Sequence, residues 1–361
     1  MRKEIGVYIH WPFCISKCNY CNFNSYVKSV PDGFINTYIK QLQNFKDYFK
    51  DKKLRTVYFG GGTPSLMKTD EIKLILEKIF NSAKEIDSKI EITLEANPET
   101  LDEQKLIGFK NTGINRISLG IQSYRDNWLT LMGRKNNRAK NISIIKCVND
   151  VFENYSVDLI YSLPYQNTWE EELIEALDLS LNAKHFSLYE LSLEQGTLFD
   201  LKYKNAEYKD YIDVTHRIML DAGFDHYEIS SYARQGARSS HNMLYWEYKD
   251  YVGIGAGAHG RITLNGEKYA FEGERNLDKW ISNDLVFKKL SHKEVAIEKL
   301  IMGLRTDLWC DIDEEIIDFN NLKMCTEMGF INIVNNKIQT TFEGKKRLNT
   351  ITEEIIKDNV L

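Results

Sequence analysis

Two textures alternate along the chain from residue 5 to about residue 235. Short runs crowded with apolar residues are separated by longer stretches in which apolar residues return every third or fourth position. The runs VYIHWP, TVYFGG from Thr56, EITLEAN from Glu91, INRISLGIQS from Ile114, VDLIYSLP from Val157 and HFSLYELSL from His185 read as strands. Between them lie helical patterns such as DEIKLILEKIF from Asp70, where Ile72, Ile75, Leu76, Ile79 and Phe80 share a face. Strand and helix in strict alternation predict parallel strands joined by right-handed crossovers. The expected fold class is therefore α/β, a (β/α) partial barrel of the TIM type. A last unit ends in a helix stopped by Gly223 and one further strand in which Tyr227, Ile229 and Ser231 alternate with polar neighbours.

In barrels of this kind chemistry collects at the carboxyl ends of the strands. Those ends carry Cys14 after the first strand and Gly61, Gly62 and Thr63 after the second. Glu95 and Asn97 follow on the third, Gln122 and Ser123 on the fourth and Asp158 on the fifth. One rim is expected to hold them all.

Beyond the barrel the texture changes. QGARSSHNMLYWEYKDYVGIGAGAHG is rich in glycine, aromatics and histidine and reads as a connecting segment, residues 236–290. From Ser291 onward helices dominate: HKEVAIEKLIMGL, then DEEIIDFNNLKMCTEMG, then a hairpin FINIVNNKIQTT turning at Asn335-Asn336, then a closing helix. The partition expected is 1–235 barrel, 236–290 connector and 291–361 a small winged-helix-like domain. Its helices are not basic, so a lid or packing role is preferred to nucleic-acid binding. A net charge of −5 with lysines spread along the chain says the same of the whole molecule.

The most pointed stretch is CISKCNYC, with Cys14, Cys18 and Cys21 just after the first strand. Structural zinc asks for four protein ligands, usually as two spaced pairs, and no second CxxC exists in the chain. His10 as a fourth ligand is disfavoured, because on the strand its side chain must point to the same face as that of Tyr8. An iron–sulfur cluster fits the spacing, and three thiols are one short of closing a cubane, which leaves one iron for a small molecule. Six cysteines in 361 residues, three of them clustered, are no disulfide framework and point to a reducing compartment. The start, MRKEIGVYIHWPFC, enters a strand rather than a signal sequence, and no run approaches the ~18 apolar residues of a membrane span. A cytoplasmic location is expected.

CxxxCxxC with Tyr20 before the last cysteine, followed by GGGTP at Gly60 to Pro64, resembles the radical S-adenosylmethionine (SAM) superfamily. The resemblance implies a 4Fe-4S cluster held by Cys14, Cys18 and Cys21, with SAM chelated at the open iron. Within that superfamily the chain is similar to the oxygen-independent coproporphyrinogen III oxidase group. Matching positions imply SAM contacts at Tyr8, Tyr20, Gly61, Gly62, Thr63, Glu95, Gln122, Arg134, Asp158 and Ala258, with His259 nearby. Arg134 offers a planar fork for a carboxylate. Glu95 and Asp158 suit the ammonium or ribose hydroxyls, and Gln122 suits ribose or adenine.

Two departures separate the chain from the oxidases. Their fourth cysteine, in CxxxCxxCxC, is replaced by Phe23, and their long amino-terminal arm is absent before Cys14. In its place stands HNMLYW, whose His241, Tyr245 and Trp246 suit a flat metal-bearing ring: imidazole can ligate haem iron while aromatics pack on the macrocycle. This combination resembles the haem-chaperone branch of the group. It implies haem as cargo, haem-accepting partner proteins such as respiratory ones, an electron donor, and membrane contact only through an acceptor. The alternative is the oxidase reaction itself, radical oxidative decarboxylation of coproporphyrinogen III.

Overall fold

The computed structural model describes residues 3–282 and 284–357. Its first strand, β1 (Lys3–Trp11), shows why the sheet forms: Ile5, Val7, Ile9 and Trp11 are buried on one face, and the other face is largely covered too. Burial on both faces is the mark of a central parallel strand. The next strands are β2 (Lys52–Gly61), β3 (Glu85–Ala96), β4 (Arg116–Gln122), β5 (Tyr155–Tyr161) and β6 (His185–Glu190), each parallel to the one before. Helices fill the crossovers. In Thr69–Ser82, Ile72, Ile75, Leu76 and Ile79 are buried, as the apolar periodicity predicts.

The sheet extends beyond the six strands in both directions. After β6 come β7 (Asp225–Glu228) and β8 (Ser231–Ala233), where the sequence pattern predicts one strand. The chain folds back between them because Glu228 accepts from Ser230 N and Ser231 Oγ. Ile229 meanwhile donates its N–H to Arg305 O and packs on the carboxyl-terminal core. On the other edge, β9 (Asp250–Ile254) pairs parallel with β1, and β10 (His259–Leu264), β11 (Glu267–Glu272) and β12 (Phe287–Lys289) follow antiparallel. The order is β12-β11-β10-β9-β1-β2-β3-β4-β5-β6-β8-β7, an open, mostly parallel sheet, the partial barrel of the α/β class.

Residues 292–357 build a second core around Leu300, Leu304, Ile317, Leu322, Ile338 and Ile351. Helix His292–Leu304 starts at a capping box of Ser291 and Glu294. A three-stranded antiparallel sheet contains the hairpin Ile331–Val334 and Lys337–Thr340, with Asn335 and Asn336 both at positive φ in its two-residue turn. The helix expected over DEEIIDFNNLKMCTEMG spans only Phe319–Glu327. Asp318 caps it by accepting from the N–H groups of Asn320 and Asn321, while Ile317 just before it bridges to Ile356. No helix among the described residues is long and apolar enough to cross a membrane.

Candidate functional site

The cysteine loop is held by backbone bonds at both ends. Cys14 N–H donates to Tyr26 O (3.0 Å) and Tyr26 N–H to Pro12 O (2.7 Å), which closes the loop on itself. In mid-loop, Asn19 is tied to the end of the short helix Asp126–Leu131, its N–H donating to Met132 O and its side-chain amide to Leu131 O. The end of β2 reaches the same loop: Gly62 N–H donates to Trp11 O and Thr63 N–H to Phe13 O. Glycine is required there by contact. A Cβ on Gly62 would stand 2.9 Å from Cys14 Sγ and 2.9 Å from Phe13 O, and Gly61 has φ +109°.

These elements surround a cavity of about 430 Å³ into which Cys14, Cys18 and Cys21 all open. Gly61, Gly62 and Thr63 line it from β2, Glu95 from β3, Gln122 from β4 and Asp158 from β5, with Tyr20 and Arg134 beside the thiols. The strand-end rim expected from the sequence is gathered in one place with the exception of Ser123, which is buried and donates to Glu172 instead.

The donor set suits the group its spacing implies. Thr63 Oγ1 donates to Cys14 Sγ (3.3 Å) and Arg134 Nη1 to Cys18 Sγ (3.7 Å), so hydrogen-bond donors already face two of the sulfurs. Among the described residues no three ligating side chains converge on a single ion, so the thiols line a shared cavity rather than one tetrahedral point. For a nucleoside ligand the telling atom is Gln122 Oε1, buried without a partner on a residue held at φ +66°. Strain and an unsatisfied acceptor together mark a position shaped for a ligand.

Charge is arranged across the cavity. Arg134 is buried; its Nη2 donates to Asn97 Oδ1 and Gly120 O at 2.9 Å each and lies 3.4 Å from Glu99. Burial opposes its charge, but Tyr20, Glu99 and Cys18 outweigh that and raise its pKa. Nη1, with only the long contact to Cys18, is the edge left for a carboxylate. Opposite it, burial pushes the Glu95 carboxyl up to about 7, although Tyr58 Oη (2.9 Å) and Gly61 N (3.1 Å) both donate to it. Burial also raises Asp158, which accepts from Ser118 Oγ (2.8 Å) and Ser156 Oγ (2.9 Å). Burial raises the thiols of Cys14 and Cys21 as well.

Five expected contacts lie elsewhere. Tyr8 does not line the cavity; its hydroxyl is 3.0 Å from His10 Nδ1 and its ring 6.2 Å from that of Tyr58. Ala258 is buried in the turn joining β9 and β10, its N–H bonded to Gly255 O. His241 is 1% exposed and does not reach the cavity. Its Nδ1 is 2.7 Å from Thr56 Oγ1 and its Nε2 2.6 Å from Tyr245 Oη, so both ring nitrogens are engaged. In this arrangement His241 and Tyr245 brace each other beneath the sheet, and both ring nitrogens of His241 have protein partners. Trp246 faces away, with Arg305 over its ring at 4.9 Å.

Several lining residues were not singled out from the sequence as contacts. Glu99 pairs with Arg134, while Tyr189 and Glu190 line the cavity from the end of β6. The strand-end rule, carried one strand further, points to that last pair. Phe23, 58% exposed, stands on the rim of the cavity two residues after Cys21.

The chain is similar to known proteins in family and in fold. The family model for the radical SAM superfamily matches residues 8–177. The heme chaperone HemW of Buchnera aphidicola subsp. Acyrthosiphon pisum is 33% identical, over 98% of this chain and 98% of that one. HemW of Haemophilus influenzae is 37% identical over 72% of this chain and 71% of its own. Among solved structures, coproporphyrinogen III oxidase (HemN) from Escherichia coli superposes with a TM-score of 0.81 at 18% identity, covering 98% of this chain and 90% of that one, a likeness of fold. Fold and cysteine loop together define a radical SAM protein. With a third of its residues identical to a relative along nearly the whole length of both, the chain belongs to the HemW family.

Proposed function

We propose that the protein is a haem chaperone: it binds haem, carries a 4Fe-4S cluster on Cys14, Cys18 and Cys21 with SAM at the open iron, and passes haem to acceptor proteins such as respiratory haem enzymes in the cytoplasm. The observation that carries this reading is a SAM-type cavity complete in its cysteines, its Gly61-Gly62-Thr63 wall and its Arg134 fork, yet with Phe23 where an oxidase has cysteine. The names of the HemW relatives support the haem assignment. When bound, the cluster supplies one-electron chemistry to SAM.

This chain's own residues then hold and shield the ligand. Arg134 Nη1 takes the SAM carboxylate, Glu95 and Asp158 accept from its ammonium or ribose hydroxyls, and Gln122 Oε1 gains the partner it lacks. Phe23 and Ile15 cover the mouth with apolar surface and exclude water.

The test sets the reconstituted protein, without oxygen, against haem in one vessel and against coproporphyrinogen III, SAM and reductant in another. Tight haem binding with no protoporphyrinogen formed is expected. Decarboxylation at a catalytic rate makes the protein an oxidase and overturns the chaperone reading.

A further inference from the structure

Beneath Asp158 the barrel interior holds a layer of polar side chains that do not themselves line the mouth of the cavity. Ser156 and Asp158 are two apart on β5, so their side chains share the inner face. Strand register sets Ser118 of β4 and His185 of β6 beside Ser156, at one level across three strands. Ser156, His185 and Tyr227 are each at most 1% exposed, so their polar atoms must find partners within the protein.

They find them in a line. Ser156 Oγ donates to Asp158 Oδ1 at 2.9 Å and lies 2.8 Å from His185 Nδ1. His185 Nε2 lies 2.7 Å from Tyr227 Oη, which accepts from the N–H of Ser239 at 3.3 Å. Ser239 caps helix Ser240–Trp246. The line therefore runs from the foot of the HNMLYW helix, through Tyr227, His185 and Ser156, to a carboxylate of the cluster cavity.

The direction of each bond follows from the two ends. A carboxylate only accepts, so Ser156 gives Asp158 its one proton and must accept from His185. Nδ1 then carries the ring proton. A neutral imidazole has a single N–H, so Nε2 is bare and accepts from the Tyr227 hydroxyl, which accepts in turn from a backbone N–H. Burial and the nearby Arg116 guanidinium both push the His185 pKa well below its ordinary value, which keeps the ring neutral. Burial raises Asp158, and the hydroxyls of Ser118, Ser187 and Ser156 act against it together with Arg116. Tyr58, Glu95 and Tyr189 are the other ionisable groups whose charge is felt at Asp158. Ser187 Oγ, 3.3 Å from Ser156 Oγ, is the longer alternative for the Ser156 proton. Bonds aligned head to tail polarise one another, so the shorter line is reinforced.

We propose that His185 is a positioning residue for SAM: held by Tyr227 as the tautomer protonated on Nδ1, it fixes the Ser156 hydroxyl on Asp158 Oδ1 and so orients that carboxylate toward the ligand. The inference rests on the reading of Asp158 as a SAM contact.

The test reads the ring directly. In the full-length reconstituted protein with isotope-labelled histidine, nitrogen NMR is expected to show a protonated Nδ1 and a bare Nε2 for the signal that is missing from His185→Asn. A proton on Nε2 alone, or on both nitrogens, overturns the chain. Calorimetry with SAM gives the second readout. His185→Phe binds SAM about fivefold more weakly, because the Ser156 hydroxyl is no longer held on Asp158. His185→Asn, whose amide N–H falls near the place of the Nδ1–H, recovers most of that loss, and His185→Gln, with its amide further out, does not. Native affinity in His185→Phe, or an equal loss in the Phe and Asn variants, overturns the positioning role. Tyr227→Phe serves if His185→Phe does not fold. It removes one hydroxyl and is expected to mix the two tautomers and weaken SAM about twofold; a native tautomer with native affinity there overturns the chain. Asp158→Asn separates the inference from its premise. Native SAM affinity in that variant removes Asp158 from the site and overturns both, whereas a loss there beside native affinity in His185→Phe overturns the role of His185 alone.

Discussion

Arg134 joins three parts of the site that are far apart in sequence, so its removal has a calculable cost. Nη2 donates to Asn97 Oδ1 and Gly120 O at 2.9 Å each and faces Glu99 at 3.4 Å, while Nη1 reaches Cys18 Sγ. In Arg134→Met the volume is nearly kept, but two acceptors lose their donor and Glu99 its counter-charge. An acceptor left unsatisfied in a buried place costs about 1–3 kcal/mol, and a partly buried ion pair broken on one side costs about the same or more. The expected loss is about 3 kcal/mol, a large share of the roughly 5–15 kcal/mol typical of folded proteins. Arg134→Lys keeps the charge without the fork and falls between. Urea unfolding of the metal-free protein, followed by tryptophan fluorescence, reads the stability, and calorimetry on the reconstituted protein reads SAM affinity, expected to drop at least about tenfold. A stability change under about 0.5 kcal/mol would show that these bonds carry no net weight. Lost stability with unchanged SAM affinity would remove Arg134 from the carboxylate site.

Glu95 gives the site a pH dependence. Burial holds its carboxyl near 7, and only the ionised form attracts an ammonium, so SAM affinity should rise between about pH 6 and about pH 8 and become flat in Glu95→Gln. Gly62→Ala pushes a methyl group to within 2.9 Å of Cys14 Sγ, and iron per chain after reconstitution should fall well below native; equal iron content would mean the loop yields freely. Asp250 joins β9 to the rest of the sheet by accepting from Lys52 Nζ (2.8 Å), Lys268 Nζ (2.9 Å) and Thr263 Oγ1 (2.7 Å). Burial opposes its charge, but Lys268, Lys52, Tyr48 and Thr263 together hold its pKa well below the usual carboxylate value. That stability is present above the unfolded value of about 4 and is lost as pH falls through the depressed one. Asp250→Asn should cost about 3 kcal/mol at neutral pH and flatten the acid limb of the stability curve; parallel acid limbs would refute it.

Local pattern alone determined a good deal. Apolar runs and helical periodicity marked the six parallel strands and helix Thr69–Ser82, because period and length report how a segment must bury its face. The Asn335-Asn336 turn was legible for the same kind of reason: two positive φ values suit asparagine. Cys14, Cys18 and Cys21 were legible because a ligand loop is contiguous, and Glu95, Gln122 and Asp158 because parallel strands bring their carboxyl ends to one rim.

What tertiary structure decided was everything that depends on partners distant in the chain. HNMLYW looks like a ligand motif from its residue types, but whether His241 has a free nitrogen depends on Thr56, 185 positions away, which takes Nδ1. The pairing of β9 with β1 and the folding back at Ile229 have the same character. Periodicity records which face of a segment is buried, not what it is buried against.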